Sequence, residues 1–209
     1  MNIIVFGATG MVGKQLVQQG LFKGHHVRAF GRNVYTTDFL ETENLQLVQG
    51  ALFDEGEVYK AVKGCDAVLS ALGGGVDGSD RTRTLGMKNI LAQMKKAGLK
   101  RIIGIGGRGV LQANEEKMII DTEDYPPEFI AVGREHAKAY ELLKDSGLDW
   151  TFVCPPDIIN AGPTGEYTTR ADYPVESGNE RINAGDLAMF MLNELQKNEY
   201  VQKRVGISN

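Results

Sequence analysis

Short apolar runs alternate along the chain with stretches of helical period, and several of the runs end in glycine. Ile3, Ile4, Val5 and Phe6 form the first run, which breaks into Gly7-Ala8-Thr9-Gly10-Met11-Val12-Gly13. Four consecutive apolar residues predict a parallel strand buried on both faces. A helical pattern (Leu16, Val17, Gly20) leads to strand two at 26–31, with Val27 and Ala29 on one side and Arg28 on the other. The same reading predicts strand three at 45–50, a helix over 55–62, strand four at 67–72 and a strong helix over 84–97 closed by Gly98. Strand five follows at 101–105, a helix over 133–146 capped by Gly147, and strand six at 150–154, stopped by Pro155-Pro156. Asn183 is expected to cap a helix running through Leu195, and 204–207 supplies a last strand.

Three connections lack either period. Residues 75–83 (Val76-Asp77-Gly78-Ser79-Asp80 within them) read as a polar, mobile link. Residues 111–130 carry charges and Pro126-Pro127 and read as a lid or substrate loop with little regular structure. Residues 157–179 are turn-rich, with one short strand expected around Tyr167. No repeat, low-complexity run or domain boundary interrupts the strand–helix alternation, so the expected fold is α/β, a doubly wound parallel sheet in one domain over 1–209, with 155–182 forming a small substrate-side region.

Composition narrows the class. The 209 residues carry a formal net charge of -4, which argues against nucleic acid as a partner. No stretch reaches the length of a membrane span, and Met1 runs straight into the first strand without a basic-then-apolar leader, so a cytoplasmic protein is expected. Cys65 and Cys154 lack metal-ligand spacing and read as reduced, packed thiols; no metal site is expected. A monomer or weak homodimer is the expected state.

The opening strand and its glycines carry the chemistry. Gly7 suits a tight turn, Gly10 the approach of a pyrophosphate to the backbone, and Gly13 close packing of helix on sheet. The helix N-terminus after Gly10 then faces the phosphates with free N–H groups and its positive dipole end. This is the pattern of a dinucleotide site. The end of strand two separates the two nicotinamide cofactors, because a carboxylate there binds the ribose hydroxyls of NAD and a cation accommodates the 2′-phosphate of NADP. Arg32 stands there, with no Asp or Glu until Asp38. Its alternative is a solvated arginine. Strand three exits through Ala51-Leu52, expected to border the adenine, and strand four through Leu72-Gly73-Gly74-Gly75, either a close approach to ligand or a loose loop. Strand five exits through Ile105, Gly106, Gly107 and Arg108 at the same edge.

These stretches resemble the atypical (extended-type) short-chain dehydrogenase/reductases over the whole chain. The resemblance rests on residues 6–13, on Asp66-Ala67-Val68-Leu69 before Leu72-Gly73, on Ser146-Gly147-Leu148-Asp149-Trp150-Thr151, and on 183–195 with Asp186-Leu187-Ala188. The short length, Cys154-Pro155-Pro156 and Gly165-Glu166-Tyr167 are most similar to the biliverdin-IX-beta reductase/flavin reductase and NmrA-like branches. The resemblance implies a Rossmann fold binding NADP, or NAD, with Gly7, Thr9, Gly10, Met11 and Val12 on the pyrophosphate and Arg32 near the 2′-phosphate. It further implies Leu72, Gly73 and Gly74 on the adenine-to-ribose side and Pro155 and Pro156 at the nicotinamide end. Many relatives carry Gly-Asp after strand three, whereas here Gly50 precedes Ala51.

The greater departure is catalytic. Members with the usual Tyr-x-x-x-Lys pair place it on the helix before strand six, where this chain has Val132 and His136, and the Ser or Thr after strand five is replaced by Gly106 and Gly107. Tyr140 and Lys144 repeat the spacing later in the helix than expected and read as surface or packing residues. Reduction of a ketone needs an acid on the oxygen, whereas a flavin, quinone or tetrapyrrole disperses the added charge over its own rings. The expectation is therefore an NADPH-dependent reductase of a conjugated small-molecule acceptor, flavin first. His136 would bond the nicotinamide ribose or carboxamide, or be a helix histidine with a backbone partner. Asp157 would orient water or substrate, or simply follow Pro156 in a turn. The competing expectation is an NmrA-like sensor that reports bound NADP or NAD to a protein partner without turnover, with 111–130 as its contact surface. Nucleotide-sugar epimerase chemistry is a weaker third, since it needs the Tyr/Lys pair.

Overall fold

The computed structural model describes residues 1–176 and 179–209. Strand β1 (Asn2–Phe6) enters the middle of the sheet, and Ile3, Ile4, Val5 and Phe6 are fully buried, as a run apolar on both faces requires. Helix α1 (Met11–Phe22) returns the chain to β2 (His26–Gly31) and then β3 (Leu45–Gln49). Helix α2 (Glu55–Val62) crosses to β4 (Ala67–Ser70), α3 (Thr82–Ala97) to β5 (Arg101–Ile105), and α4 (Ile130–Lys144) to β6 (Asp149–Cys154). Two short strands follow, β7 (Asp157–Ile159) and β8 (Thr168–Ala171), then β9 (Arg181–Asn183), α5 (Ala184–Lys197) and β10 (Lys203–Ser208).

The main sheet runs β3-β2-β1-β4-β5-β6-β10-β8, parallel except for β8, which pairs antiparallel with β10. Alternation along β1 sorts the core into two layers. Ile3 and Val5 face α1 and α5, with Leu16, Leu187 and Leu192 above them. Ile4 and Phe6 face α2, α3 and α4, with Val58, Ile90 and Leu143. Arg28 lies in the second layer, as the alternation of strand two predicts, and its guanidinium donates to the carbonyls of Ala61 and Lys63.

The strand order reverses between β1 and β4, which opens a crevice outside their carboxyl ends. Gly7 holds that point. Its φ is +75°, and a Cβ there would lie 2.3 Å from the Ala71 carbonyl oxygen, so both the turn and the closeness of the two strand exits require glycine.

Where the chain departs from the pattern reading, local bonding explains it. Within 155–182, β8 extends the main sheet, while β7 and β9 pair in a separate two-stranded parallel sheet. Strands of three residues are too short to show alternation. Asn183 occupies the N-cap position of α5 but makes no capping bond; its amide reaches Asp186 Oδ2 instead, at 3.2 Å. Residues 111–130 contain two short 3-10 turns, Ile119–Asp121 and Pro127–Phe129, and a bridge between Gln112 and Met118. The entry to that stretch is fastened by Arg204, whose Nη1 donates to the Val110 carbonyl at 2.7 Å while its guanidinium stands 4.8 Å over the Tyr140 ring.

Candidate active site

The crevice is a cleft of about 450 Å³, floored by the exits of β1, β2, β4 and β5. Gly7, Thr9, Gly10, Met11 and Val12 form one wall, Leu72 and Gly73 the facing one, and Arg32, Leu52, Ile105, Gly106 and His136 stand around it, all of them candidate cofactor residues of the sequence. The N-terminus of α1 opens into this space with no side-chain cap and no acidic residue in its first turn. The N–H groups of Met11, Val12 and Gly13 therefore lack intrahelical partners and the positive end of the dipole is unopposed. Gly13 lets this happen: a Cβ there would lie 2.0 Å from the Gly7 carbonyl oxygen, within the loop itself. At Gly10 the nearest atom to such a Cβ is 3.3 Å away, so its open side belongs to the cleft.

Among the described residues the cleft lining contains two arginines, one histidine and no carboxylate. Arg32 is one of the cations. The other, Arg83, is absent from the pattern reading. It lies at the start of α3, donates from Nη1 to the Gly75 carbonyl at 3.0 Å and from Nη2 to the Gly74 carbonyl at 3.1 Å, and keeps a buried Nε without a partner. Thr82, Ile158, Phe30 and Gly50 also line the cleft.

Two expected contacts lie elsewhere. The Ala51 N–H donates to Glu57 Oε2 at 2.6 Å, inside the bonding that starts α2, and only the following Leu52 reaches the cleft. Gly74 turns toward the Asp80 carboxylate, which also accepts from the Gly75 N–H at 2.9 Å; these bonds tie down the polar 75–83 link. Ala131 of α4 packs near Gly78, within 2.9 Å of a Cβ built there.

A second pocket, of about 360 Å³, adjoins the cleft, and His136 lines both. Pro155, Pro156 and Asp157 sit here rather than in the dinucleotide cleft, with Ile119, Tyr125, Phe129 and Val132. Val132 and His136, one turn apart on α4, face this common space. Burial, reinforced by the charge of Arg83, presses the His136 pKa down to about 3, so the imidazole is neutral at physiological pH, and its Nδ1 is buried without a partner.

The missing serine and the displaced Tyr/Lys pair have steric counterparts. A Cβ at Gly106 would lie 2.5 Å from the Phe152 ring, and one at Gly107 2.9 Å from His136 Cδ2, so neither place accepts serine without rearrangement. Tyr140 stacks on Phe152 and meets Trp150 edge-on, a packing role. Tyr125 brings a phenol to the second pocket, but burial raises its pKa, only partly opposed by Arg134, and its hydroxyl is wedged between Gly109 and Gly133. The thiol of Cys154 is fully buried and pushed up to about 12, and Cys65 is raised as well, both by desolvation; neither is a nucleophile at neutral pH.

A dinucleotide fits these residues: the glycine cradle has no side chain in the way, the helix N–H groups and Arg83 Nε await acceptors, and His136 Nδ1 stands unpartnered where the two cavities meet. When bound, a reduced nicotinamide supplies a hydride. The profile of the NAD(P)H-binding family matches residues 7–198. Three solved structures, whose names assign their roles only provisionally, overlay nearly the whole chain. One, named an exported protein, from Burkholderia pseudomallei, is 31% identical with a TM-score of 0.84, covering 100% of both chains. Another, named an NADH-flavin reductase, from Streptococcus pneumoniae, is 26% identical with a TM-score of 0.86, over 100% of this chain and 99% of its own. A third, named an epimerase, from Bacteroides thetaiotaomicron, is 29% identical with a TM-score of 0.86, over 99% and 96%. A chain that follows the family profile from the glycine loop to the end of α5, and overlays such structures throughout, belongs to the NAD(P)H-binding Rossmann family, among proteins like the atypical short-chain dehydrogenase/reductases.

Proposed function

We propose that the protein is an NADPH-dependent reductase that delivers hydride to a flavin or a similarly extended conjugated acceptor held in the pocket beside His136. The observation that carries this reading is His136 itself: the residue shared by the cofactor cleft and the adjoining pocket is neutral, and the slot beside it holds Val132. Proton donation to a developing alkoxide needs an acid with a pKa near the working pH. A neutral imidazole held near 3 and a valine do not provide one. A conjugated ring system does not require it, since the added electron pair spreads over the rings and the proton follows from water.

What remains for the protein is positioning. The apolar second pocket, walled by Pro155, Pro156, Phe129 and Ile119, offers flat surfaces against which a ring can lie, and His136 sets its distance from the nicotinamide end. Arg32 and the carboxylate-free cleft favour NADPH over NADH. The name of the Streptococcus pneumoniae relative agrees in class. The absent Tyr/Lys pair weighs against epimerase chemistry. Both cysteines are free, which suits a reducing cytoplasm, and no described helix is long and apolar enough to cross a membrane. The reading takes the protein as a monomer or weak homodimer.

The test is oxidation of NADPH and NADH by purified protein at fixed low salt, with and without flavin, followed by absorbance. Flavin-dependent oxidation that prefers NADPH is the expected result. Tight NADPH binding with no oxidation across flavins, quinones and tetrapyrroles would overturn it in favour of a sensor.

A further inference from the structure

One hydroxyl faces the second pocket without a partner in the protein. Among the described residues, three side chains on the pocket walls can donate a hydrogen bond: Arg108, His136 and Tyr125. Arg108 is drawn to the Glu180 carboxylate, with 2.6 Å between Nη1 and Oε1. His136 stands at the junction with the cofactor cleft. Tyr125 comes from the 111–130 segment, and its hydroxyl makes no hydrogen bond with any described residue. Nor is that oxygen one of the buried polar atoms sealed from the surface, so it keeps an open side.

Two glycines make room for it. A Cβ at Gly109 would lie 2.7 Å from the Tyr125 hydroxyl oxygen and 3.1 Å from its Cε2 and Cζ, and one at Gly133 would lie 2.7 Å from the same oxygen. Both glycines are buried and line the pocket. Gly109 belongs to the 3-10 turn Arg108–Val110, and the atoms that would meet a side chain there are those of the phenol. Gly133 precedes His136 by three residues on α4, and residues so spaced share a helix face. The hydroxyl therefore stands on the same wall as the imidazole, on the side away from the cofactor cleft, because Gly133 and Tyr125 line the second pocket and not the first. Burial raises the pKa of the phenol, only partly opposed by Arg134, so it holds its proton at neutral pH and is a donor.

We propose that the Tyr125 hydroxyl binds the acceptor by donating a hydrogen bond to a carbonyl oxygen at the edge of its conjugated ring. The inference rests on the reductase reading in taking this pocket as the acceptor's, and it narrows the acceptor to rings that carry a conjugated carbonyl. NADPH gives the ring a hydride and leaves as NADP⁺; the electron pair spreads through the ring, and part of it collects on the carbonyl oxygen. A hydrogen bond to that oxygen becomes charge-assisted at this stage, and so is stronger than in the resting complex. An interaction that strengthens along the reaction raises the rate as well as the affinity. Tyr125 keeps its proton throughout, and water supplies the one that completes the two-electron reduction.

Tyr125→Phe removes only the oxygen, and Gly109→Ala keeps the oxygen but pushes it aside. Riboflavin, whose ring carries carbonyls, and methylene blue, a flat conjugated ring with none, are the probes. Binding to NADP-saturated protein is read from the change in each ring's own fluorescence, and turnover from loss of NADPH absorbance. Both variants are expected to bind riboflavin about tenfold more weakly than the parent and to lose at least as much in kcat/KM, with methylene blue binding held within about twofold. Riboflavin binding unmoved in Tyr125→Phe, or riboflavin and methylene blue weakened alike, overturns the inference; a parent that oxidises NADPH with riboflavin then still stands as a reductase. Selective loss of riboflavin binding with no turnover by the parent sustains the role of the hydroxyl and removes the reductase. Failure of the parent to bind riboflavin overturns both.

Discussion

Gly107 and His136 are so close that a Cβ on the glycine would lie 2.9 Å from the imidazole Cδ2. The contact fixes the ring at the junction of the two cavities, so Gly107→Ala is expected to displace His136 without touching the glycine loop or Arg32. A misplacement of that size reduces hydride transfer by roughly tenfold to a hundredfold. NADPH affinity should fall much less. Steady-state rates beside a fluorescence titration of NADPH check the split, and equal loss in both would mean that Gly107 serves binding rather than geometry.

The same histidine sets the pH behaviour. Burial, then the charge of Arg83, lower its pKa from 6.5 to about 3. Above about pH 4 it is neutral, so turnover should show no inflection near 6.5, where an ordinary histidine titrates. Stability runs the other way with acid: the unfolded chain takes up this proton near 6.5 and the folded one only near 3, so the fold loses stability as pH drops through that window. Rates from pH 5 to 8 test the first point. An inflection near 6.5 that vanishes in His136→Ala would refute it.

Arg32 is exposed at the end of β2 and lines the cleft. A charge-assisted pair with the 2′-phosphate contributes about 1.5–3 kcal/mol, so Arg32→Ala should weaken NADPH by roughly tenfold to a hundredfold and leave NADH nearly unchanged. KM values for both cofactors decide it. Equal weakening would place the 2′-phosphate elsewhere.

The fold and much of the cleft were legible because their signals are local. The run Ile3–Phe6 states a doubly buried strand by itself, and the spacing of Gly7, Gly10 and Gly13 states the turn, the cradle and the helix contact. Arg83 was not legible, since its place depends on the carbonyls of Gly75 and Gly74, eight and nine residues earlier, in a stretch with no period. The split of Pro155, Pro156 and Asp157 into a separate pocket was hidden for a similar reason: it is made by 3-10 turns at Ile119–Asp121 and Pro127–Phe129, which leave no repeat in the sequence. Ala51 and Leu52 are adjacent, and only the competition of Glu57 for one N–H tells them apart.

Gly10 and Gly13 separate ligand access from folding. A side chain at Gly10 meets only the Gly7 carbonyl, at 3.3 Å, so Gly10→Val should fold and fail to bind either dinucleotide. At Gly13 the same carbonyl is 2.0 Å away, so Gly13→Val should compromise folding itself. Thermal melts with and without NADPH distinguish the two. A Gly10→Val protein that is still stabilised by NADPH would remove the loop from the pyrophosphate.

Asp186 concerns stability far from the chemistry. Its buried carboxylate accepts from Thr164 N and Oγ1, Gly165 N, Asn183 Nδ2 and Asn209 Nδ2, at 2.7 to 3.2 Å, which holds the 162–167 loop and the last residue of the chain against α5. Burial alone would raise its pKa; these bonds, led by Gly165 N–H and the Thr164 hydroxyl, outweigh it and hold the group below its usual value. A depressed folded pKa means that the contribution is fully present above the unfolded pKa of about 3.9 and is lost as pH falls through the folded value. Asp186→Ala should therefore cost about 2 kcal/mol at pH 7. The gap between variant and parent in urea denaturation should narrow only below about pH 4. A gap of constant size down to pH 2.5, with both proteins still folded, would assign the loss to packing rather than to the ionised carboxylate.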